Sequence, residues 1–194
     1  MEDKMIKIIP IQPSQLNEYS KISGAFKVSS ILRINHLENG LGGIKIYEEN
    51  TANPLIKDYD NYEKPIEWKD KWNLENWGLF IAKNDRNETI GGVVIAYDTP
   101  ELCMLEGRKD LTVLWDIRVQ PEYRGKGIGK LLFNKAVEYT KERNCKRIKI
   151  ETQNNNVDAC KFYSKQGCYL EGIHYGVYKE CPDEIQLLWY KRIN

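Results

Sequence analysis

The stretch that decides the fold runs Leu111-Thr-Val-Leu-Trp115-Asp116-Ile117-Arg118-Val119, then Gln120-Pro121-Glu-Tyr, then Arg124-Gly125-Lys126-Gly127-Ile128-Gly129-Lys130. Its first part, Leu111–Val119, is an apolar run of strand length bounded by turn residues. After the glycines, Ile128, Leu131, Leu132, Lys135/Ala136 and Tyr139 recur at helical spacing and predict a helix through about Asn144. The glycine-rich segment is therefore a strand-to-helix turn. The first N–H groups of a helix have no partner within it, and the helix dipole adds a field that favours an anion. Glycines keep side chains from shielding that backbone, and Arg124, Lys126 and Lys130 add positive charge. Spacing removes two phosphate sites. A P-loop needs glycine at position 124 and Ser or Thr at 131, where Arg124 and Leu131 stand; a dinucleotide fingerprint needs glycine where Lys130 stands. On this segment alone, a plain basic turn remains the alternative.

Downstream, Arg147–Thr152 reads as a strand, Asn156–Gln166 as a helix ended by Gly167, and Tyr169–Tyr178 and Ile185–Lys191 as two last strands. Upstream, the apolar runs Trp77–Ala82 and Thr89–Tyr97 are joined by a hairpin turn at Asn84-Asp85-Arg86-Asn87. Gly91-Gly92 inside the second run signals a bulge or a close backbone approach. Thr99–Asp110 is a loop longer than a tight hairpin. The N-terminal part is patchier: a short strand at Met5–Ile9, a helix over Ser14–Ile22, and extended runs at Ile31–Ile34 and Ile44–Tyr47 around a Gly40–Gly43 turn. Asn50–Lys71, dense in charges, tyrosines and prolines, reads as a surface loop or short helices. There is no internal repeat. The order of elements predicts an α/β (α+β) fold, a mixed sheet with helices packed on it.

A length of 194 residues suits one domain. A net charge of +1 gives no reason to expect a nucleic-acid partner, so an anion site must be local. The five cysteines show no C-x-x-C spacing, and with only His36 and His174 beside them no metal site is expected. The N-terminus lacks the apolar stretch of a signal peptide and no apolar span reaches membrane-crossing length, so the expectation is a soluble cytoplasmic protein without a membrane partner.

Arg124-x-x-Gly127-x-Gly129, after the strand Trp115–Val119, resembles the pyrophosphate-binding segment of the GNAT superfamily of N-acetyltransferases, whose pattern is Gln/Arg-x-x-Gly-x-Gly/Ala. About 30 residues on, Asn156-Val-Asp-Ala159-Cys-Lys-Phe162-Tyr163-Ser-Lys-Gln-Gly167 resembles the second signature, Asn-x-x-Ala-x-x-Phe/Leu-Tyr-x-x-x-Gly. One departure is visible: Cys168 stands where the family usually has Phe. The resemblance implies a mostly antiparallel twisted sheet flanked by helices, with residues 1–194 forming a single domain. Residues 1–76 would then be the variable acceptor side and 77–194 the acetyl-CoA core. It implies acetyl-CoA as acetyl donor, cradled at its pyrophosphate by the backbone of Arg124, Gly125, Lys126, Gly127, Ile128, Gly129 and Lys130. The backbone at Ile117 and Val119 would pair with the pantetheine arm, and Asn156, Ala159 and Tyr163 would flank it on one helical face, with Tyr163 beside the thioester sulfur.

Such chemistry needs an acid and a base. An alkyl amine with a pKa of about 10.4 costs roughly 4–5 kcal/mol to deprotonate at pH 7, so a carboxylate or a water chain must take a proton. A phenol, ordinarily near pKa 10, can give one to a departing thiolate, and Tyr163 is the candidate. Asp116 and Glu151, on neighbouring strands, are both candidates for the base or for holding a cationic substrate. Cys160 raises an acyl-cysteine route, but no His lies near it in sequence, which favours direct transfer in a ternary complex.

Glu151-Thr-Gln-Asn-Asn-Asn156 leading into Ala159-Cys-Lys-Phe-Tyr163, together with Phe26-Lys-Val and Pro54-Leu-Ile-Lys-Asp-Tyr59, is similar to the streptothricin acetyltransferases within that superfamily. That similarity implies a small-molecule amine partner, an amine of the β-lysine arm of streptothricin. A polyamine, an aminoglycoside or a protein N-terminus remain alternative acceptors, and a non-catalytic CoA-binding module is the alternative of another class. The sequence leaves the oligomeric state open, a homodimer included.

Overall fold

The computed structural model describes residues 6–193. In chain order the elements are β1 (Lys7–Pro10), α1 (Leu16–Tyr19), β2 (Ala25–His36), β3 (Ile44–Asp58), α2 (Trp68–Lys71), β4 (Gly78–Lys83), β5 (Thr89–Ala96), β6 (Leu111–Val119), α3 (Ile128–Glu142), β7 (Arg147–Gln153), α4 (Val157–Lys165), β8 (Tyr169–His174) and β9 (Gln186–Arg192). Single 3₁₀ turns lie at Pro13–Gln15, Tyr59–Asn61, Pro65–Glu67, Cys103–Leu105 and Pro121–Tyr123. The architecture is mixed α/β with a mostly antiparallel sheet and helices packed on it. Residues 6–24, 58–150 and 190–193 form one compact unit; residues 25–57 and 151–189 form another.

In the first unit the strand order is β1-β4-β5-β6-β7. The first three pairings are antiparallel, and β6 runs parallel to β7, from Leu111 opposite Arg147 to Leu114 opposite Ile150. β5 is buried along nearly its whole length, as expected of a central strand covered on both faces. Its glycine pair shows how both faces are covered. A Cβ on Gly91 would meet Leu132 and Ile128 of α3, at 3.1 and 3.4 Å, and the Arg118 carbonyl at 3.0 Å; one on Gly92 would run into the Tyr19 ring of α1 and meet Ile22 at 3.0 Å. Adjacent strand residues face opposite ways, so two glycines in a row let a helix close in on each face. On the α1 side the core continues through Leu16, Trp68, Trp77, Ile81, Val94 and Val113. The long loop before β6 belongs to it, with Leu102 and Leu105 buried and Trp77 Nε1 donating to Thr99 Oγ1 at 2.8 Å. On the other face, α3 buries Ile128, Leu132, Phe133, Ala136, Tyr139 and Thr140, and Thr140 bonds Thr112 of β6 at 2.8 Å.

In the second unit the order is β7-β9-β8, where β7 contributes its last residues, and β2 and β3 pair as a separate two-stranded ribbon. α4 packs on β8 and β2. Its carboxyl end closes as a Schellman motif: Gly167, at φ +76°, donates to the Ser164 carbonyl and Cys168 to that of Tyr163, both at 3.0 Å.

Several expectations change. Met5 lies outside the described residues, and the strand there is Lys7–Pro10. The helix expected over Ser14–Ile22 shrinks to a 3₁₀ turn and the four residues of α1. Asn50–Asp58, expected as loop, is the second half of β3. That strand is exposed on both faces over most of its length, so burial imposes no alternation that a pattern search could find. Its partner β2 likewise runs far beyond Ile31–Ile34. Tyr169–Tyr178 ends as a strand at His174. Leu131 is 44% exposed rather than buried: at about 100° per residue it lies about 60° outside the arc from Ile128 to Phe133 that faces the sheet.

Candidate active site

In the first unit, β6 carries an extra residue. The β5–β6 register steps from Val94 opposite Asp116 to Ile95 opposite Leu114, leaving Trp115 bulged. The β6–β7 ladder stops at Leu114 opposite Ile150, whereas β6 stays paired with β5 as far as Val119 opposite Gly91. Asp116–Val119 therefore continue past the parallel ladder, the backbone stretch expected to lie along the pantetheine arm. The Val119 carbonyl already accepts from Arg124 Nε at 2.9 Å.

Beyond β6 the glycine turn rises into α3. Gly125 (φ +73°) and Gly127 (φ +84°) are both left-handed, which glycine alone adopts without strain, and a Cβ at either would meet nothing within 4 Å. Gly127 is the N-cap of the 15-residue α3, so the N–H groups of Ile128, Gly129 and Lys130 lie in its first turn. The long side chains do not crowd this cradle: Arg124 turns back to Val119, and Lys126 Nζ bonds the Glu122 carbonyl at 2.7 Å. An open, glycine-lined backbone at the positive end of a long helix fits a pyrophosphate.

Asp116 is committed. Its Oδ2 accepts from Arg118 Nε at 2.6 Å, and Arg118 Nη1 also reaches Asp60 Oδ1 at 2.9 Å and the Ile22 carbonyl at 3.1 Å. The Arg118 side chain is buried; burial opposes its charge, but Asp116 and Asp60 outweigh that and hold its pKa above the ordinary arginine value. Sequence reading missed Arg118, although Asp116-x-Arg118 on a strand places both side chains on one face.

In the second unit, the end of β7 alternates. Thr152 is buried, accepting from Trp189 Nε1 at 2.9 Å and lying 3.4 Å from Cys160 Sγ. Glu151 and Gln153 share the opposite direction. Glu151 Oε1 accepts from the Tyr178 hydroxyl at 2.7 Å and Oε2 from Gln186 Nε2 at 2.8 Å, while Gln153 Nε2 donates to the Tyr178 oxygen at 3.0 Å. No sequence spacing pointed to Tyr178 or Gln186, which come from 27 and 35 residues away.

α4 follows. Asn156, read above as a residue within the helix, is its N-cap, its side-chain oxygen accepting from the Ala159 N–H at 3.2 Å. Ala159 is partly exposed one turn in, and Tyr163 is buried a turn later with its ring 5.3 Å from that of Phe162. Cys160 is buried and its thiol is pushed up to about 11, chiefly by burial. A thiol so reluctant to ionise is a poor nucleophile near neutral pH, which argues against an acyl-cysteine route. Among the described residues no cluster of His, Cys, Asp and Glu could hold a metal, and no helix is long and apolar enough to cross a membrane.

Comparison with known proteins gives the same family. A sequence model of the acetyltransferase (GNAT) family matches residues 45–168. A streptothricin acetyltransferase of Escherichia coli is 38% identical over 185 residues, covering 94% of each chain. Streptothricin acetyltransferase A of Bacillus subtilis (strain 168) is 28% identical over 145 residues, 74% of this chain and 76% of its own. Among solved structures, a Bacillus anthracis protein in complex with acetyl coenzyme A superposes with a TM-score of 0.75 at 29% identity, covering 98% of this chain and 99% of its own. The chain belongs to the GNAT family: it is an N-acetyltransferase whose acetyl donor is acetyl-CoA, and it resembles the streptothricin acetyltransferases.

Proposed function

We propose that this enzyme acetylates streptothricin on an amine of its β-lysine arm, by direct transfer within a ternary complex. The supporting observation is the extent of likeness to the Escherichia coli streptothricin acetyltransferase, 38% identity across 94% of both chains. Likeness that long reaches well beyond the cofactor segments, into residues 1–76, which we take as the acceptor side; residues 77–194 we take as the acetyl-CoA side of one domain.

The roles follow from the chemistry of each group. The donor supplies an acetyl thioester. Backbone N–H groups from Arg124 to Lys130 hold its pyrophosphate, Ile117 and Val119 offer backbone to the pantetheine amides, and the start of α4 from Asn156 to Ala159 flanks that arm. Tyr163 gives a proton to the leaving sulfur. Asp116 or Glu151 takes the ammonium proton, directly or through water.

The test is a panel of streptothricin, spermidine, kanamycin and a generic peptide, read as kcat/KM, with one added acetyl mass located on the β-lysine moiety. A tenfold or greater preference for spermidine or kanamycin would overturn the drug assignment and leave the acetyltransferase standing.

A further inference from the structure

The two candidate carboxylates have different surroundings, and the difference bears on which of them meets the acceptor. Asp116 shares a buried arginine with Asp60. Glu106 is paired with Lys149, and Glu184 with Lys57. Glu151 is different: half-buried, it has both oxygens bonded to neutral donors, and among the described residues no Lys, Arg or His lies within ion-pair distance of it. Neutral donors orient a carboxylate without cancelling its charge. An ionised carboxylate has about four lone-pair positions, so two remain open. The donor sense at Tyr178 is also set. Its oxygen accepts from Gln153, so its own proton goes to Glu151.

We infer that Glu151 is the carboxylate that anchors the acceptor's ammonium group, and that Tyr178 and Gln186 are positioning residues that fix its two oxygens for that task. The inference rests on the reading of the acceptor as a cationic amine, not on which amine it is. Asp116 is a weaker anchor because an incoming cation would have to displace, or be repelled by, Arg118.

A double-mutant cycle tests this, run with whichever amine of the panel is turned over fastest, so that an error in the drug assignment leaves it intact. Glu151→Gln should raise the amine KM and cut kcat/KM by a hundredfold or more. Tyr178→Phe should raise the amine KM about tenfold. Both should leave the acetyl-CoA dissociation constant within threefold. In the Glu151→Gln background, Tyr178→Phe should add nearly nothing, since the group it positions is gone. Gln186→Met supplies a second cycle with the same expectation if Tyr178→Phe folds poorly. Losses that multiply would mean the two donors act independently of Glu151, and would overturn the assignment. So would an amine KM unchanged by Glu151→Gln.

Discussion

Replacing Gly127 by Asp sets the helix against the cofactor. Gly127 sits at φ +84° with open space where a Cβ would go, so the fold meets backbone strain and no clash. A non-glycine residue there costs about 1–2 kcal/mol. A carboxylate at the amino end of α3 returns about 0.3–1 kcal/mol through the helix dipole. The net cost is at most about 2 kcal/mol, and at about 2–4 °C per kcal/mol for a chain of this size the melting temperature should fall by less than about 8 °C. Binding moves the other way. A carboxylate about 4 Å from one phosphate charge is repelled by about 4 kcal/mol at an effective dielectric of 20, and by about 1 kcal/mol in bulk water. Tenfold weaker acetyl-CoA binding, about 1.4 kcal/mol, is therefore the least to expect. Gly127→Ala carries the same backbone strain without the charge, so it should bind more tightly than the Asp variant. The gap should narrow at 1 M salt, where the screening length is about 3 Å. Isothermal titration calorimetry reads all three proteins, with circular dichroism checking the fold. A folded Asp variant that binds acetyl-CoA like the wild type would refute the assignment of the glycine turn to the pyrophosphate.

Tyr163→Phe keeps the ring and removes the transferable proton, so acetyl-CoA affinity should hold within threefold while kcat falls 10²–10⁴-fold; a wild-type kcat, with chemistry shown to limit the rate, would move the proton to another donor. Gly92→Ala drives a Cβ into the Tyr19 ring and against Ile22, and overpacking of this kind costs about 1–3 kcal/mol, a melting temperature about 2–12 °C lower. An unchanged melting temperature would show that α1 yields without cost.

The legible parts of the sequence were those whose signals are local. The hairpin at residues 84–87, the turn into α3 and the Gly167 stop each carry glycine or turn residues within a few positions of the event they cause, and each is where it was expected. The second half of β3 was missed for a physical reason. A strand exposed on both faces selects no alternating pattern, and Ile44, Ile46, Leu55 and Ile56 lie exposed beside lysines and glutamates. The Asn156 cap was misread because a residue three positions before Ala159 satisfies both a helical-face pattern and an N-cap. Only the backbone angles separate the two.

The candidate site divides along the same line. The proposed pyrophosphate cradle is backbone: seven consecutive residues, two of them glycines in left-handed conformations, present N–H groups whose direction follows from the turn alone. Recognition of that kind is written in one contiguous segment and survives changes elsewhere in the chain. The candidate carboxylates are instead set by side chains that folding brings together within each unit. Glu151 is oriented by Tyr178 and Gln186, and Asp116 by an arginine that also gathers Asp60 and the Ile22 carbonyl. Apart from the i, i+2 pair Asp116 and Arg118, no spacing rule links such partners. The two parts can therefore change independently. If Glu151 meets the cation as inferred, a substitution at Tyr178 or Gln186 should change the amine KM and leave acetyl-CoA affinity as it is, because neither side chain belongs to the glycine turn.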